Sequence, residues 1–239
     1  MPTFIFLQRN VNFITMFKKL FFAVGALCLM SGVLRAQDSN VQVGIEGGLN
    51  LAKQSSGGSG STGNLTAFHA GVLVDFKLDA VTIEPGLFYS VKGGKYDAAT
   101  TISDGTTTYS ASTSAKLTLN YLELPVNVLY NIPVAGSGHL FVGGGPYAAY
   151  GLSGKMKYSA SASGGGNSQS QAGEQNVSFG SGSDQYKALD FGINFKGGYR
   201  FSNGLQLSVG YGLGLANLSN DSQSSVKNNV FRASLGYFF

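Results

Sequence analysis

Over Leu189 to Leu215 the apolar side chains fall on every second position, and this constrains the fold more than any other stretch of the chain. Leu189, Phe191, Ile193, Phe195, Tyr199 and Phe201 lie on one side, with Asp190, Asn194, Lys196 and Arg200 between them. A period of two is that of a strand, whose successive side chains point to opposite faces. Ser202, Asn203 and Gly204 follow, and the Asn-Gly pair accepts the positive φ that a tight hairpin turn requires. The pattern resumes as Leu205, Leu207, Val209, Tyr211, Leu213 and Leu215. Each strand has about eleven to thirteen residues, long for a soluble sheet and about the length that crosses a bilayer at a tilt.

The same alternation recurs along the chain. It predicts strands over Val41 to Leu51, Phe68 to Leu78, Val81 to Lys92, Leu117 to Tyr130, Leu140 to Leu152 and Phe231 to Phe239, giving eight with the hairpin. In the fourth the apolar set changes phase between Tyr121 and Leu122, which predicts a β-bulge there. Pro85, Pro125 and Pro146 fall inside strands, so a bulge or strand end is expected near each. Connections alternate in length. Asp79-Ala80, Asn131 to Gly138 and Ser202 to Gly204 are short, whereas Ala52 to Ala67, Gly94 to Ala115, Lys155 to Lys187 and Asn217 to Asn229 are long and rich in small polar residues. The long ones, above all Ser159 to Gly182, are too poor in large apolar residues to build a core and are expected to be mobile.

Residues 1–36 read as a leader, separate from the domain 37–239. Translation is expected to start at Met16, followed by a basic region at Lys18 and Lys19, an apolar run from Leu20 to Met30, and small residues up to cleavage after Ala36. The run is too short to span a bilayer as a helix. Of the sixteen Lys and Arg residues, Arg9, Lys18, Lys19 and Arg35 leave with the leader and none of the twelve acids does, so the mature chain has twelve of each sign. Its net charge therefore makes no case for nucleic acid or an acidic substrate. The single cysteine, Cys28, lies in the leader without a lipidation context, which leaves the mature chain no disulfide or thiol chemistry.

Alternation does not by itself say which face is inside. The apolar face carries aromatics near both strand ends: Phe68, Tyr89, Tyr150, Phe191 and Phe231 towards the long loops, and Phe76, Tyr130, Tyr199, Phe201, Tyr237 and Phe239 towards the short turns. Paired aromatic belts, short turns on one rim and long loops on the other belong to bacterial outer-membrane barrels. The expected fold is an all-β, eight-stranded antiparallel up-and-down transmembrane β-barrel, with both termini periplasmic. Its lumen would be lined by a structural charge network of Glu46, Glu84, Glu123, Asp190, Lys92, Lys196, Arg200 and Arg232, paired because an enclosed lone ion is costly.

The leader, the strand pattern, the segment Asn120-Tyr121-Leu122-Glu123-Leu124-Pro125-Val126 and the aromatic C-terminus together resemble the PorT-like family of small outer-membrane β-barrel proteins, with an architecture like that of OmpA and OmpX. The resemblance covers essentially all of residues 37–239. It implies a Gram-negative outer membrane and insertion by the barrel-assembly machinery, which would read Leu235, Tyr237 and Phe239. Gly236 is offset from the glycine usual in that signal. The partners expected are outer-membrane lipid, that machinery and an envelope or secretion protein; the barrel itself is expected to be a monomer.

No cofactor, metal or catalytic residue is expected. His69 and His139 are about a strand length apart and cannot serve one site, and Asp75, six residues from His69, lies roughly 20 Å along the strand. Gly143 to Gly145 lack the Lys-Ser/Thr and helix start of a phosphate loop and are expected to thin the wall beside Phe141 and Tyr147. Three functions remain in view: a structural or interaction protein, a small transport pore, and a barrel-form lipid-modifying enzyme.

Overall fold

The computed structural model describes residues 40–56, 62–103, 105–136, 138–182, 185–221 and 223–239. The proposed leader and its cleavage site lie outside these residues. The strands are β1 (Val41–Ser56), β2 (Leu65–Leu78), β3 (Val81–Ser103), β4 (Thr108–Val134), β5 (Gly138–Gly164), β6 (Asn167–Val177), β7 (Leu189–Phe201), β8 (Leu205–Gly214) and β9 (Val226–Phe238). Neighbours run β4-β3-β2-β1-β9-β8-β7-β5, and pairing of β4 with β5 closes the ring at eight strands. The ninth, β6, pairs with β5 alone and stands outside it.

Closure decides the question that alternation left open. Ile193, Val209 and Leu235 are 39%, 54% and 54% exposed on the outside, while Glu46, Glu84, Glu123 and Asp190 are buried in the centre. Such an apolar exterior would be unstable in water and suits a hydrocarbon surround, because the closed ladder satisfies the backbone without solvent. The aromatics expected at the two rims face outwards, with Tyr199 half-buried beside Phe201. The short turns use the backbone freedom expected of them: Gly204 has φ 89° and its N–H donates to Phe201 O at 3.0 Å.

Two stretches expected to be mobile loops are regular structure instead. β3 and β4 remain paired out to Ser103↔Thr108, β4 and β5 to Ser110↔Ser163, and β5 turns at Gly165 and Gly166, both at positive φ, to pair with β6 along its whole length. The prediction failed because it asked for a packed core. Here each strand continues a ladder already registered in the barrel wall, so hydrogen bonding propagates through Ser, Thr and Ala without large side chains.

The phase change in β4 has a different cause from the bulge expected. Leu117, Leu119, Tyr121 and Glu123 all point inwards in unbroken alternation. What changes is the lining, which is apolar in the outer part of the barrel and charged below. A register shift does occur beside Tyr121, where pairing passes from Asn120↔Ser153 to Tyr121↔Gly151, and the extra residue, Leu152, is on β5. The prolines cause no register shift either. Pairing of β2 with β3 passes from Leu73↔Gly86 to Phe76↔Ile83, and that of β4 with β5 from Pro125↔Tyr147 to Val128↔Gly144, so rungs are dropped beside Pro85 and Pro146 and the strands run on. Gly143 and Gly145 are needed for a reason the composition did not show. A Cβ at either would fall 1.9 Å from a β4 carbonyl oxygen, of Val128 or Val126 respectively.

Candidate functional site

Inward positions on seven of the ring strands form two stacked ionic clusters. Near the short-turn end, Arg200 of β7 pairs with Asp75 of β2 at 2.5 Å and binds Gln206 Oε1 through Nε at 2.8 Å. The Gln206 amide donates in turn to Glu46 of β1 at 3.2 Å. The Arg200 guanidinium also lies 3.5 Å from the centre of the Phe238 ring. Above it, Lys196 bridges Glu46 and Glu84, each at 2.9 Å. Higher still, Glu123 receives Lys92 at 2.9 Å and Arg232 at 2.6 Å, and Lys92 also reaches Asp190 at 3.0 Å. Lys92 lies 4.3 Å from the centre of the Tyr147 ring, a cation over an aromatic face.

All eight residues expected to line the lumen lie in these two clusters. Asp75 and Gln206 belong to the one nearer the short turns as well. Asp75 was legible as an inward position of its strand, whereas nothing in the alternation marks Gln206 as the link between Arg200 and Glu46. Leu235, Tyr237 and Phe239, expected to act as the assembly signal, lie on the exposed outer face.

His69 finds its partners elsewhere than at His139 or Asp75. Its ring nitrogens lie 2.7 Å from Asn50 Oδ1 and 2.9 Å from Ser234 Oγ. Serine, histidine and an orienting amide in that order have the layout of an activated nucleophile. The adjoining cavity, lined by His69, Ser234, Asn127 and Asn194 among others, is however about 30 Å³, room for a water and not for an acyl substrate. Asn50 is moreover tied to the Val91 carbonyl of β3 at 2.9 Å, so the trio, itself on β1, β2 and β9, braces four strands. His139 lies on β5 opposite Arg200.

The outer part of the lumen is closed by apolar packing and a cap. Leu117, Leu119, Tyr121, Tyr147 and Ala149 are buried together, with Met156, Val177, Phe179 and Tyr186 packed on them. Tyr186 belongs to the connection after β6, which is pinned to the connection before β9 by the bond from Lys187 N–H to Leu218 O at 2.9 Å. The Asn220 amide nitrogen lies 2.9 Å from the carbonyl oxygens of Gly180, Gly182 and Gln185. An ion pathway through this barrel would have to displace both the salt bridges and the cap.

A closed eight-stranded barrel with a lipid-compatible exterior and an interior filled by paired ionic side chains is an integral outer-membrane protein of the small-barrel class. The chain belongs to the outer membrane protein β-barrel domain family, whose model matches residues 35–220. Among solved structures it is similar to Ail of Yersinia pestis, at 13% identity over 83% of this chain and 98% of that one, with a TM-score of 0.39. It is also similar to Neisserial surface protein A, at 14% identity over 84% and 98% with a TM-score of 0.35, and to CarO2 of Acinetobacter baumannii, at 13% over 83% and 99% with a TM-score of 0.35. No curated protein matches the chain.

Proposed function

We propose that this protein is a non-conducting, non-enzymatic scaffold of the outer membrane, whose work is done by the paired strands that extend beyond the barrel. The observation that carries this reading is the contrast between a lumen filled by salt bridges and capped by loops and the long β3–β4 and β5–β6 hairpins. Both chain termini then face the periplasm and the hairpins face the cell exterior. The partner is an envelope or surface component; the PorT-like resemblance adds a secretion assembly as one such component. The transport pore is the second reading, favoured only by the polarity of the lining.

Conductance separates the two. The purified barrel in a planar bilayer should show no steady single-channel current, and a reproducible open level would overturn the scaffold reading. Orientation is tested independently. The only cysteine of the sequence, Cys28, lies in the expected leader, so Ser161→Cys on β5 should react with a membrane-impermeant maleimide on intact cells; protection until lysis would reverse the topology.

A further inference from the structure

With the expected leader removed, the charges cancel in number but not in space. Lys95 of β3 pairs in register with Lys116 of β4, and Lys116 with Lys157 of β5, so three lysines stand side by side on adjacent strands. All three are exposed on the outward face, as is Lys155 two residues along β5 from Lys157. Like charges directly opposite one another across strands destabilise a sheet. Two carboxylates share this face. Glu174 of β6 binds Lys155 at 2.6 Å and Lys157 at 3.1 Å, and Asp97 lies two residues beyond Lys95. Among the described residues no carboxylate pairs with Lys95 or Lys116.

We propose that this row binds the anionic sugar headgroup of an outer-leaflet glycolipid, through phosphates carried on the saccharide. Charge complementarity selects an anion, and height selects its source. Lys95 and Lys116 lie six residues beyond Tyr89 and Leu122, the last large residues of the outward apolar face on their strands. That is roughly 20 Å along the strand, or about 15 Å above the aromatic belt at the usual barrel tilt. The headgroup layer of an ordinary phospholipid adds only about 5 to 8 Å per side. A phosphorylated saccharide reaches the row; a phospholipid phosphate falls short of it. Exposed Lys53, two residues beyond Leu51 on β1, places a further cation on the same outward surface.

The inference rests on the hairpins lying outside the cell, and its test is arranged so that the two can fail separately. The mature barrel is reconstituted into phosphatidylcholine vesicles containing lipopolysaccharide with a phosphorylated core, the same lipid dephosphorylated, or phosphatidylglycerol; a fourth set is plain phosphatidylcholine with inorganic phosphate in the buffer. The readout is the temperature at which the folded, fast-migrating gel form is lost. Each lipid occupies both leaflets, so insertion direction does not affect the result, while the maleimide experiment reports orientation. The phosphorylated glycolipid should raise the midpoint and the other three should not. The triple variant Lys95→Gln, Lys116→Gln, Lys157→Gln should bind it on the order of 100-fold more weakly and lose the shift, while remaining at least as stable as wild type in plain phosphatidylcholine. The corresponding triple Arg variant should keep the shift. A full shift in the Gln variant, or an equal shift with dephosphorylated lipid, phosphatidylglycerol or inorganic phosphate, would overturn the proposal.

Discussion

Glu123→Gln is the substitution for which the geometry makes the sharpest demand. The carboxylate is wholly buried and serves two cations, Lys92 at 2.9 Å and Arg232 at 2.6 Å. Lys92 has a second partner in Asp190 at 3.0 Å, but among the described residues Arg232 has no other carboxylate within salt-bridge distance. Neutralising Glu123 therefore strands one part-buried guanidinium, for which removal of a partner costs up to about 3 to 5 kcal/mol. Glu84→Gln is the internal comparison. Lys196 keeps Glu46 at 2.9 Å, so the loss should be about half as large. Urea unfolding of both variants in detergent micelles, followed by tryptic protection, measures the difference. Adding Arg232→Met to Glu123→Gln should recover part of the loss, because the stranded ion is then gone. A Glu123→Gln barrel within about 1 kcal/mol of wild type, or a Glu84→Gln barrel as unstable as Glu123→Gln, would refute the claim that partner redundancy sets the cost.

Two further outcomes follow from the cap and from the outer hairpin. Asn220→Ala should speed amide hydrogen exchange over residues 178–182 and 185–188 by at least tenfold and leave the barrel's unfolding midpoint unchanged, since the three hydrogen bonds of its amide run from loop to loop. Hydrogen bonds from Lys155 and then Lys157 hold the Glu174 carboxyl below the usual glutamate range. A depressed carboxylate pKa stabilises the folded form above the unfolded value of about 4.3 and ceases to do so as pH falls through the folded value. Once intrinsic rates are allowed for, exchange protection of the β6 amides should stay flat from pH 7 to 5 and drop only below about 4. Glu174→Gln should abolish that drop.

The barrel was legible because a lipid-facing wall must alternate, and β7 and β8 do so without interruption from Leu189 to Leu215. The same rule misread the upper part of β4. By that rule the apolar Leu117, Leu119 and Tyr121 belong to the lipid face, yet they fill the lumen beneath the cap, and no pattern within one strand distinguishes the two kinds of apolar neighbour. The hairpins beyond the membrane were missed because their order comes from registry with adjacent strands, a long-range property. The charge network was readable as a set of inward positions but not as pairs, since which cation meets which carboxylate depends on shear around the ring. The lysine row was hidden for the related reason that Lys95, Lys116 and Lys157 are distant in sequence and adjacent only through strand pairing. Net charge, being a sum, erased them.

Strands β3 to β6 continue beyond the ring as a blade joined edge to edge by its ladder. β6 alone has 11 residues, about 36 Å along its length. A flexible tether of the same composition would sample every height above the bilayer, whereas a braced blade presents the Gly165-Gly166 tip at one standoff distance. In the orientation proposed above, whatever meets that tip must come to a set elevation over the cell, and shortening β5 and β6 by matched pairs of residues would lower the meeting point in steps.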